Sequence, residues 1–176
     1  NQDVWECWLH GCTFNQYLTG SNPYTQALEW QAVGMQTLVD TIRDTGATNV
    51  IMVAGLDWAN DLSGWLAHKP TDPQNAIIAS WHSYPTQPCS SATCWDSVIA
   101  PRVAEGPVVI GEVGDNVCSS PSYLPTLLTW ADANELSYLG WTWNTWSNCE
   151  HVLIKDYTGI PTDNYGQAFK DWLFKF

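Results

Sequence analysis

Basic residues are scarce in this sequence. It has six Lys and Arg against eighteen Asp and Glu, so its formal net charge is -12 over 176 residues. Nucleic acids and anionic lipid surfaces are bound by clustered cations, so we expect neither as a partner. The chain also lacks an apolar run of about 18 residues, which argues against a membrane-spanning helix. These two deficits favour a neutral ligand.

Metal-binding spacings are also missing. No Cys-x-x-Cys occurs and the four His are scattered, so zinc is the weaker interpretation of the six cysteines. Six cysteines allow fifteen pairings, and the sequence alone does not choose among them. The spacing favours two local disulfides and one between later loops: Cys7 with Cys12, Cys89 with Cys94, and Cys118 with Cys149.

Disulfides indicate export, so we expect a secreted, extracellular protein. The first residues, Asn1 to Trp5, do not form a secretory leader. We therefore expect that any leader was removed upstream of Asn1.

Four segments alternate with helical patterns. Apolar strands ending in polar or aromatic residues are predicted at 48–55, 76–84, 107–114 and 136–144. Helices are predicted around 35–42, 61–68, 94–105, 122–134 and 164–175, and Pro101 makes the third of these the least regular. A leading helix followed by four strand-helix units predicts an α/β fold with four parallel strands. We expect one domain over residues 1–176.

Tryptophans follow the predicted strands. The chain has twelve Trp, and five lie at or just past strand ends: Trp58, Trp81, Trp141, Trp143 and Trp146. The carboxyl ends of parallel strands are where α/β folds bind ligands. Trp30, Trp130 and Trp172, on predicted helices, are expected in the core, whereas Trp141 and Trp143 are expected to form a platform for sugar rings.

One glutamate stands apart from the other five. Glu112 ends a strand between glycines, whereas Glu29, Glu105 and Glu135 are assigned to helices or helix ends. A carboxylate there is costly without partners, so a functional role is predicted. His82 and Tyr84 end the neighbouring strand two residues apart, and Tyr84 is expected to donate to an ionised Glu112.

Four motifs together resemble glycoside hydrolase family 5, the cellulase-type (β/α)8 barrels. They are residues 48–62 (TNVIMVAGLDWANDL), 79–84 (ASWHSY), 109–114 (VIGEVG) and 138–144 (YLGWTWN). The resemblance implies a half-barrel, (β/α)4, equivalent to the last four strands of the family. It also implies a retaining endo-β-1,4-glucanase without a cofactor, with Glu112 as nucleophile supported by His82 and Tyr84. Substrate contacts would come from Trp141, Trp143, Asn144, Trp58 and Asp57.

The family's acid/base motif is missing from the sequence. Retaining hydrolysis needs two carboxyl groups, and no Asn-Glu-Pro occurs in this chain. Asp57 is the one substitute at a strand end. We therefore expect little or no activity from the chain alone. Four strands would also leave an apolar face open, which predicts a homodimer or pairing with a complementary N-terminal half-barrel.

Three functional interpretations follow. The first is a half-barrel of a β-glucan hydrolase that associates to complete its barrel. The second is a carbohydrate-binding protein that keeps the aromatic platform without catalysis. The third is a folding or evolution model of a half-barrel without a selected function.

Overall fold

The computed structural model describes residues 3–17, 27–115, 122–146 and 151–175. The chain divides into two units, one of Asn1–Val53 and Gly64–Ile77, the other of Ala54–Ser63 and Ile78–Phe176. Among the described residues, no helix is long and apolar enough to cross a membrane.

Two elements precede the predicted leading helix. They are helix α1 (Val4–His10) and an antiparallel hairpin of β1 (Gly11–Tyr17) and β2 (Ala27–Val33). Asp3 begins α1 by accepting a hydrogen bond from the backbone N–H of Trp5 at 2.9 Å. The prediction of Glu29 and Trp30 on a helix is therefore wrong, because both lie in β2. Trp30 is 48% exposed and stacks on Phe14 across the hairpin at 4.5 Å, so it is not a core residue.

The predicted leading helix is present as α2 (Met35–Asp44). It begins directly after Gly34, where a side chain would overlap the backbone of Leu9 and His10. Arg43 near its end forms a bidentate ion pair with Asp72, with Nε–Oδ1 2.7 Å and Nη2–Oδ2 2.9 Å. This ion pair lowers the pKa of Asp72 well below its usual range.

Four strands form the main sheet in the order β3 (Ile51–Ala54), β4 (Ile77–Ser83), β5 (Val108–Val113) and β6 (Ser137–Gly140). The pairs β4–β5 and β5–β6 are parallel. Two hydrogen bonds, Ile51 N to Ala76 O and Gly55 N to Ser80 O, advance four residues along both chains, so β3 is parallel to β4. The predicted strand order and direction are confirmed.

The helices between the strands also match their predicted places, with two differences. Only one turn, α3 (Trp65–His68), forms within 61–68. The next is α4 (Ala92–Cys94), a π-helical segment (Trp95–Ile99) and α5 (Ala100–Glu105), and the wide turn lies just before Pro101, whose ring excludes a regular turn there. Helices α6 (Tyr123–Ala133) and α7 (Tyr165–Leu173) complete the order.

The core of the second unit lies on one side of its strands. Ile110 and Val113 of β5 are fully buried there, with three leucines of α6. Tyr165 of α7 donates to the carbonyl of Val113 at 2.5 Å, which joins this helix to the end of β5. The opposite side is more open: Ile78 and Val109 are half-buried and Leu139 is 51% exposed.

Candidate active site

A β-bulge places the candidate nucleophile. Trp81 pairs with Ile110, but His82 pairs with Glu112, so Gly111 is an extra residue in β5. If Gly111 were paired regularly and formed no bulge, Glu112 would lie on the same side as Ile110, which faces the buried core. The bulge turns Glu112 to the open side and returns Val113, which is 0% exposed, to the core.

The glycines around Glu112 are required by close contacts. A Cβ on Gly111 would overlap the Ser80 hydroxyl, and one on Gly114 would overlap the Tyr84 ring. Both glycines therefore let β5 approach the end of β4. Glu112 has glycines on both sides because the Ser80 hydroxyl and the Tyr84 ring occupy the space that a side chain at either position would need.

Both predicted supporting residues contact the carboxylate. Tyr84 Oη donates to Glu112 Oε2 at 2.5 Å, and His82 Nδ1 lies 3.4 Å from the same oxygen. The side chains of His82 and Glu112 are 21% and 25% exposed, so this pair is partly shielded from water. The hydrogen bond from Tyr84 fixes the orientation of the carboxylate.

Burial sets the protonation of the two neighbours of Glu112. Burial lowers the pKa of His82 below 6.5, although the negative charge of Glu112 opposes the shift. We therefore take the imidazole as neutral near pH 7. Burial, the hydrogen bond to Glu112 and the charge of Glu112 all raise the pKa of Tyr84, so its hydroxyl remains a donor.

The loop after β3 forms hydrogen bonds with the backbone of His82. Asp57, Trp58 and Ala59 have positive φ angles of 51°, 51° and 65°, which turn the chain back toward β4. Asn60, which is 1% exposed, then donates from Nδ2 to the His82 carbonyl at 3.0 Å. The His82 N–H donates to the Ala59 carbonyl at 2.9 Å. The backbone of His82 is therefore fixed on both sides.

These residues border a cleft of about 580 Å³ in the second unit. Its aromatic walls are Trp58, Trp141 and Trp146, and its polar lining is His82, Tyr84, Glu112, Thr86, Gln87 and His151. Trp58 is 84% exposed and Trp141 is 41% exposed, so flat indole surfaces are open to a ligand. Trp141 and Trp146 lie with ring centroids 6.4 Å apart.

The structure divides the predicted substrate contacts. Trp58 and Trp141 line the cleft with the predicted catalytic group, whereas Trp143, Asn144 and Asp57 are not among its described lining residues. Trp143 lies beside Gly159, and Asn144 accepts a hydrogen bond from Tyr157 at 3.1 Å. Strand β6 ends at Gly140, so the two-residue alternation that paired Trp141 with Trp143 does not extend past it.

Trp81 is not a strand-end ligand residue. It is 0% exposed and packs against Trp95 and Trp130 on the core side, with ring centroids 6.5 and 6.2 Å away. The same contacts place Trp130 at the core, as predicted.

Sequence reasoning did not single out His151, Thr86 or Gln87. His151 contacts the Tyr84 ring edge-to-face at 5.1 Å, and its backbone joins Asp115 to Thr142 through hydrogen bonds of 3.1 and 2.6 Å. It thereby ties the loop after β5 to the segment after β6. No pattern signals a residue from a loop this far along the chain.

Two predicted disulfides are present and the third lies outside the described residues. Cys7 is bonded to Cys12, and Cys89 to Cys94. Cys118 and Cys149 are not described. In the described ranges, no three His, Cys, Asp or Glu side chains form a group suited to a metal ion.

Comparison with known proteins identifies the fold and the family. The family described as cellulase (glycosyl hydrolase family 5) matches residues 13–147. A mannan endo-1,4-beta-mannosidase of Cellvibrio japonicus is 25% identical over 111 residues, 60% of this chain and 26% of that protein.

Solved structures show the same fold. The beta-mannanase of Streptomyces thermolilacinus superposes with a TM-score of 0.61 and 24% identity, over 75% of this chain and 46% of that one. An endo-beta-1,4-glucanase of Xanthomonas axonopodis pv. citri gives 0.53 and 21%, over 73% and 49%. The chain thus spans about a quarter of the curated relative and under half of these structures. Its four parallel strands form part of a (β/α) barrel.

Proposed function

Because the chain belongs to glycosyl hydrolase family 5, we propose that its cleft binds a β-1,4-linked glucan and that Glu112 is the nucleophile toward the anomeric carbon. The observation that carries this proposal is the short hydrogen bond from Tyr84 to Glu112 beside an open tryptophan surface. Both contacts to the carboxylate go to Oε2, which leaves Oε1 for attack. We also propose that residues 1–176 form one half-barrel domain.

Each neighbour of the carboxylate has a separate role in this mechanism. Tyr84, protonated because its pKa is raised, donates to the carboxylate and holds it in orientation. His82 lies next to the same carboxylate oxygen and, because it is neutral, does not form an ion pair with Glu112. Trp141 packs on the apolar face of a sugar ring, which places the glycosidic bond next to Glu112.

The proton donor is the incomplete part of this site. A retaining enzyme places its second carboxyl group about 5 to 5.5 Å from the nucleophile. Glu112 is the one carboxylate among the described residues that line the cleft, and Asp57, the predicted substitute, is exposed and outside the lining. We therefore propose that the chain alone has weak or no hydrolytic activity on unactivated glucans.

An activated substrate separates the nucleophile from the missing acid. A dinitrophenyl 2-deoxy-2-fluoro-cellobioside has a leaving group that departs without protonation. Attack by Glu112 would form a carboxylate–C1 bond and release dinitrophenolate, leaving a stable adduct. We expect mass spectrometry to find the adduct on the peptide carrying Glu112, and none in Glu112→Gln. An adduct on another residue, or none in the wild type, contradicts the nucleophile assignment.

The open side of the sheet is proposed as the place where the barrel is completed. Leu139 is 51% exposed there and Ile78 and Val109 are half-buried, whereas an eight-stranded barrel fills its interior with such side chains. The chain matches 46% of the mannanase structure, so about half of such a barrel lies outside the matched part. We propose a second copy as the occupant.

Solution mass tests the homodimer. The wild type should have twice the mass of the 19.7 kDa chain, and Leu139→Glu should reduce it to that of a monomer. Leu173→Glu is the matched control, because Leu173 is equally exposed, at 52%, on α7. A monomeric wild type that binds a separately expressed N-terminal half-barrel would instead support the complementary half as the occupant.

The proposed dimer does not supply the acid. In a head-to-tail ring of eight strands, the two copies of Glu112 lie four strands apart, the widest separation available. That distance is too large for double displacement. Homodimerisation is therefore expected to stabilise the fold without restoring cellulase activity.

Two further functions are favoured by specific observations. Glu112 is the single carboxylate among the described lining residues, which favours a carbohydrate-binding protein without catalysis that would bind oligosaccharide and form no adduct. The named mannan-degrading relative favours mannan over glucan. Parallel titrations with cellotetraose and mannotetraose, followed by tryptophan fluorescence, discriminate among these. Binding of neither would support a half-barrel without a selected function.

The two disulfides support the proposal that the protein is secreted.

A further inference from the structure

A chain of hydrogen bonds around Asn60 fixes the orientation of a cleft side chain, Gln87. Asn60 is buried, with 1% of its surface exposed, and its Oδ1 lies 2.9 Å from the backbone nitrogen of Cys89. A backbone N–H can only donate, so this end of the Asn60 amide must be the oxygen. The other end is therefore the NH₂ group.

The NH₂ group of Asn60 determines which end of Gln87 it meets. Its Nδ2 lies 3.0 Å from the His82 carbonyl and 3.1 Å from Gln87 Oε1. An amide NH₂ can only donate, so the Gln87 atom at this contact must be the oxygen. The NH₂ group of Gln87 is left at the opposite end of its amide.

Covalent and backbone contacts hold this arrangement in place. The Gln87 N–H donates to the Tyr84 carbonyl at 3.1 Å, which closes a turn directly after β4. Cys89 is 5% exposed, is bonded to Cys94 and accepts a hydrogen bond from the Trp95 indole at 3.1 Å. The donor that orients Asn60 therefore sits in a rigid segment, and Gln87 is preorganised rather than free to rotate its amide.

We propose that Gln87 is a specificity-determining residue whose Nε2 donates a hydrogen bond to a hydroxyl oxygen of the bound sugar. Gln87 lines the same cleft as Glu112, Trp58 and Trp141. The aromatic surfaces take the apolar faces of pyranose rings, and the oriented amide takes an oxygen at the ring edge. This inference rests on the proposed function, because it names a contact within the proposed sugar site.

The test compares Gln87→Met with wild type in titrations with cellotetraose and mannotetraose. Methionine keeps the length of the side chain and removes both polar ends, while Asn60 keeps its bond to the His82 carbonyl. A net hydrogen bond of ordinary strength corresponds to roughly 3- to 10-fold in the dissociation constant. We expect a loss of that size for the sugar that binds. Gln167→Met is the matched control, because Gln167 lies on α7 outside the described cleft lining, and its affinity should remain that of wild type.

A spectroscopic readout distinguishes direct contact from a general loosening of the cleft. The side-chain NH₂ signals of Gln87, assigned by their absence in Gln87→Met, should shift during the titration and saturate with the tryptophan fluorescence. Signals that stay fixed at saturation, or a Gln87→Met variant that binds as tightly as wild type, overturn the inference while leaving the sugar site intact. A wild type that binds neither sugar overturns both the inference and the sugar site. An adduct on Glu112 would then support the nucleophile assignment only.

Discussion

Two groups of tryptophans in the second unit lie in opposite environments. Trp81 and Trp95, 0% and 1% exposed, pack with Trp130 between the strands and the helices. Trp58, Trp141 and Trp146 are 84%, 41% and 59% exposed around the cleft. The residue type is the same, so the side of the sheet decides whether a tryptophan joins the core or the cleft surface.

The polar ends of the buried indoles show how the core group is satisfied. Trp81 donates to the Asn60 carbonyl at 3.2 Å, Trp95 to the Cys89 carbonyl at 3.1 Å, and Trp130 to Asp96 at 2.8 Å. The N–H groups of Trp81 and Trp95 are buried, and a buried N–H without an acceptor is costly, so their two acceptors are part of the core. Two of the three acceptors belong to residues that also orient the cleft, so the core group supports the ligand surface.

The largest expected effect is on the buried group. Trp81→Ala should reduce the free energy of unfolding by about 3 to 5 kcal/mol, because it leaves a cavity and removes an indole fully shielded from water. Denaturant titration measures the loss. Trp58→Ala, on the exposed side, is the control and should unfold like wild type. Equal losses in both variants would contradict the division between the two groups.

A change on the cleft side should affect binding instead. Trp141→Ala is expected to weaken oligosaccharide binding by about 10-fold or more, since aromatic stacking contributes on the order of 1 kcal/mol beyond area. Its unfolding curve should remain close to that of wild type, because Trp141 is already 41% exposed. Isothermal titration and thermal melting together test both halves of this expectation. Undiminished binding would rule out Trp141 as the platform.

The pH dependence of the unfolding free energy should distinguish the cleft side of the sheet from the core side. The pKa of His82 lies below 6.5 in the folded state, so the unfolded chain binds more protons as the pH falls through 6.5. The stability contributed by neutral His82 is therefore complete above pH 6.5 and lost below it. His82→Gln should flatten the fall in unfolding free energy just below pH 6.5. An unchanged profile would show that His82 is not the titrating group.

At alkaline pH the core side should respond. Burial raises the pKa of Tyr123 to about 12, and that of Tyr165 further, from 10.0. The folded state therefore holds protons that the unfolded chain releases above pH 10, so stability falls as the pH rises through this range. Tyr123→Phe should reduce the slope of unfolding free energy against pH between about 10 and 12. An unchanged slope would mean that Tyr123 titrates alike in both states.

The smallest expected effect belongs to Trp143. It is 61% exposed but lies outside the described cleft lining, so Trp143→Ala should change the dissociation constant less than twofold. The same titration used for Trp141→Ala measures it. A loss equal to that of Trp141→Ala would restore the paired platform that strand alternation predicts.

The sequence predicts the parallel strands and the contact between Tyr84 and Glu112, because both depend on adjacent strands with alternating side chains. It does not predict the hairpin of β1 and β2, since residues 27–33 (ALEWQAV) run into a helical pattern. It also misassigns Trp81, because nearness to a strand end does not say which side of the sheet a residue faces.

The bulge is the feature that sequence periodicity cannot supply. Strict alternation puts Glu112 on the same side as Ile110, and one extra residue reverses that. Gly111 is the available signal, since isolated glycines in strands mark bulges. His151 escapes prediction for another reason: it follows the end of β6, where no periodic structure sets its direction.

The bulge at Gly111 also bears on how this protein can change by mutation. Loss of the single Gly111 codon would restore regular pairing and leave every other side chain in the sequence. Glu112 would then directly follow Ile110 and still pair with His82, so it would stay on the open side and Val113 would stay in the core. An alignment gap of one residue at this point is therefore compatible with a glutamate that faces the cleft, whereas a chain that keeps the glycine but pairs regularly turns the same glutamate toward the core.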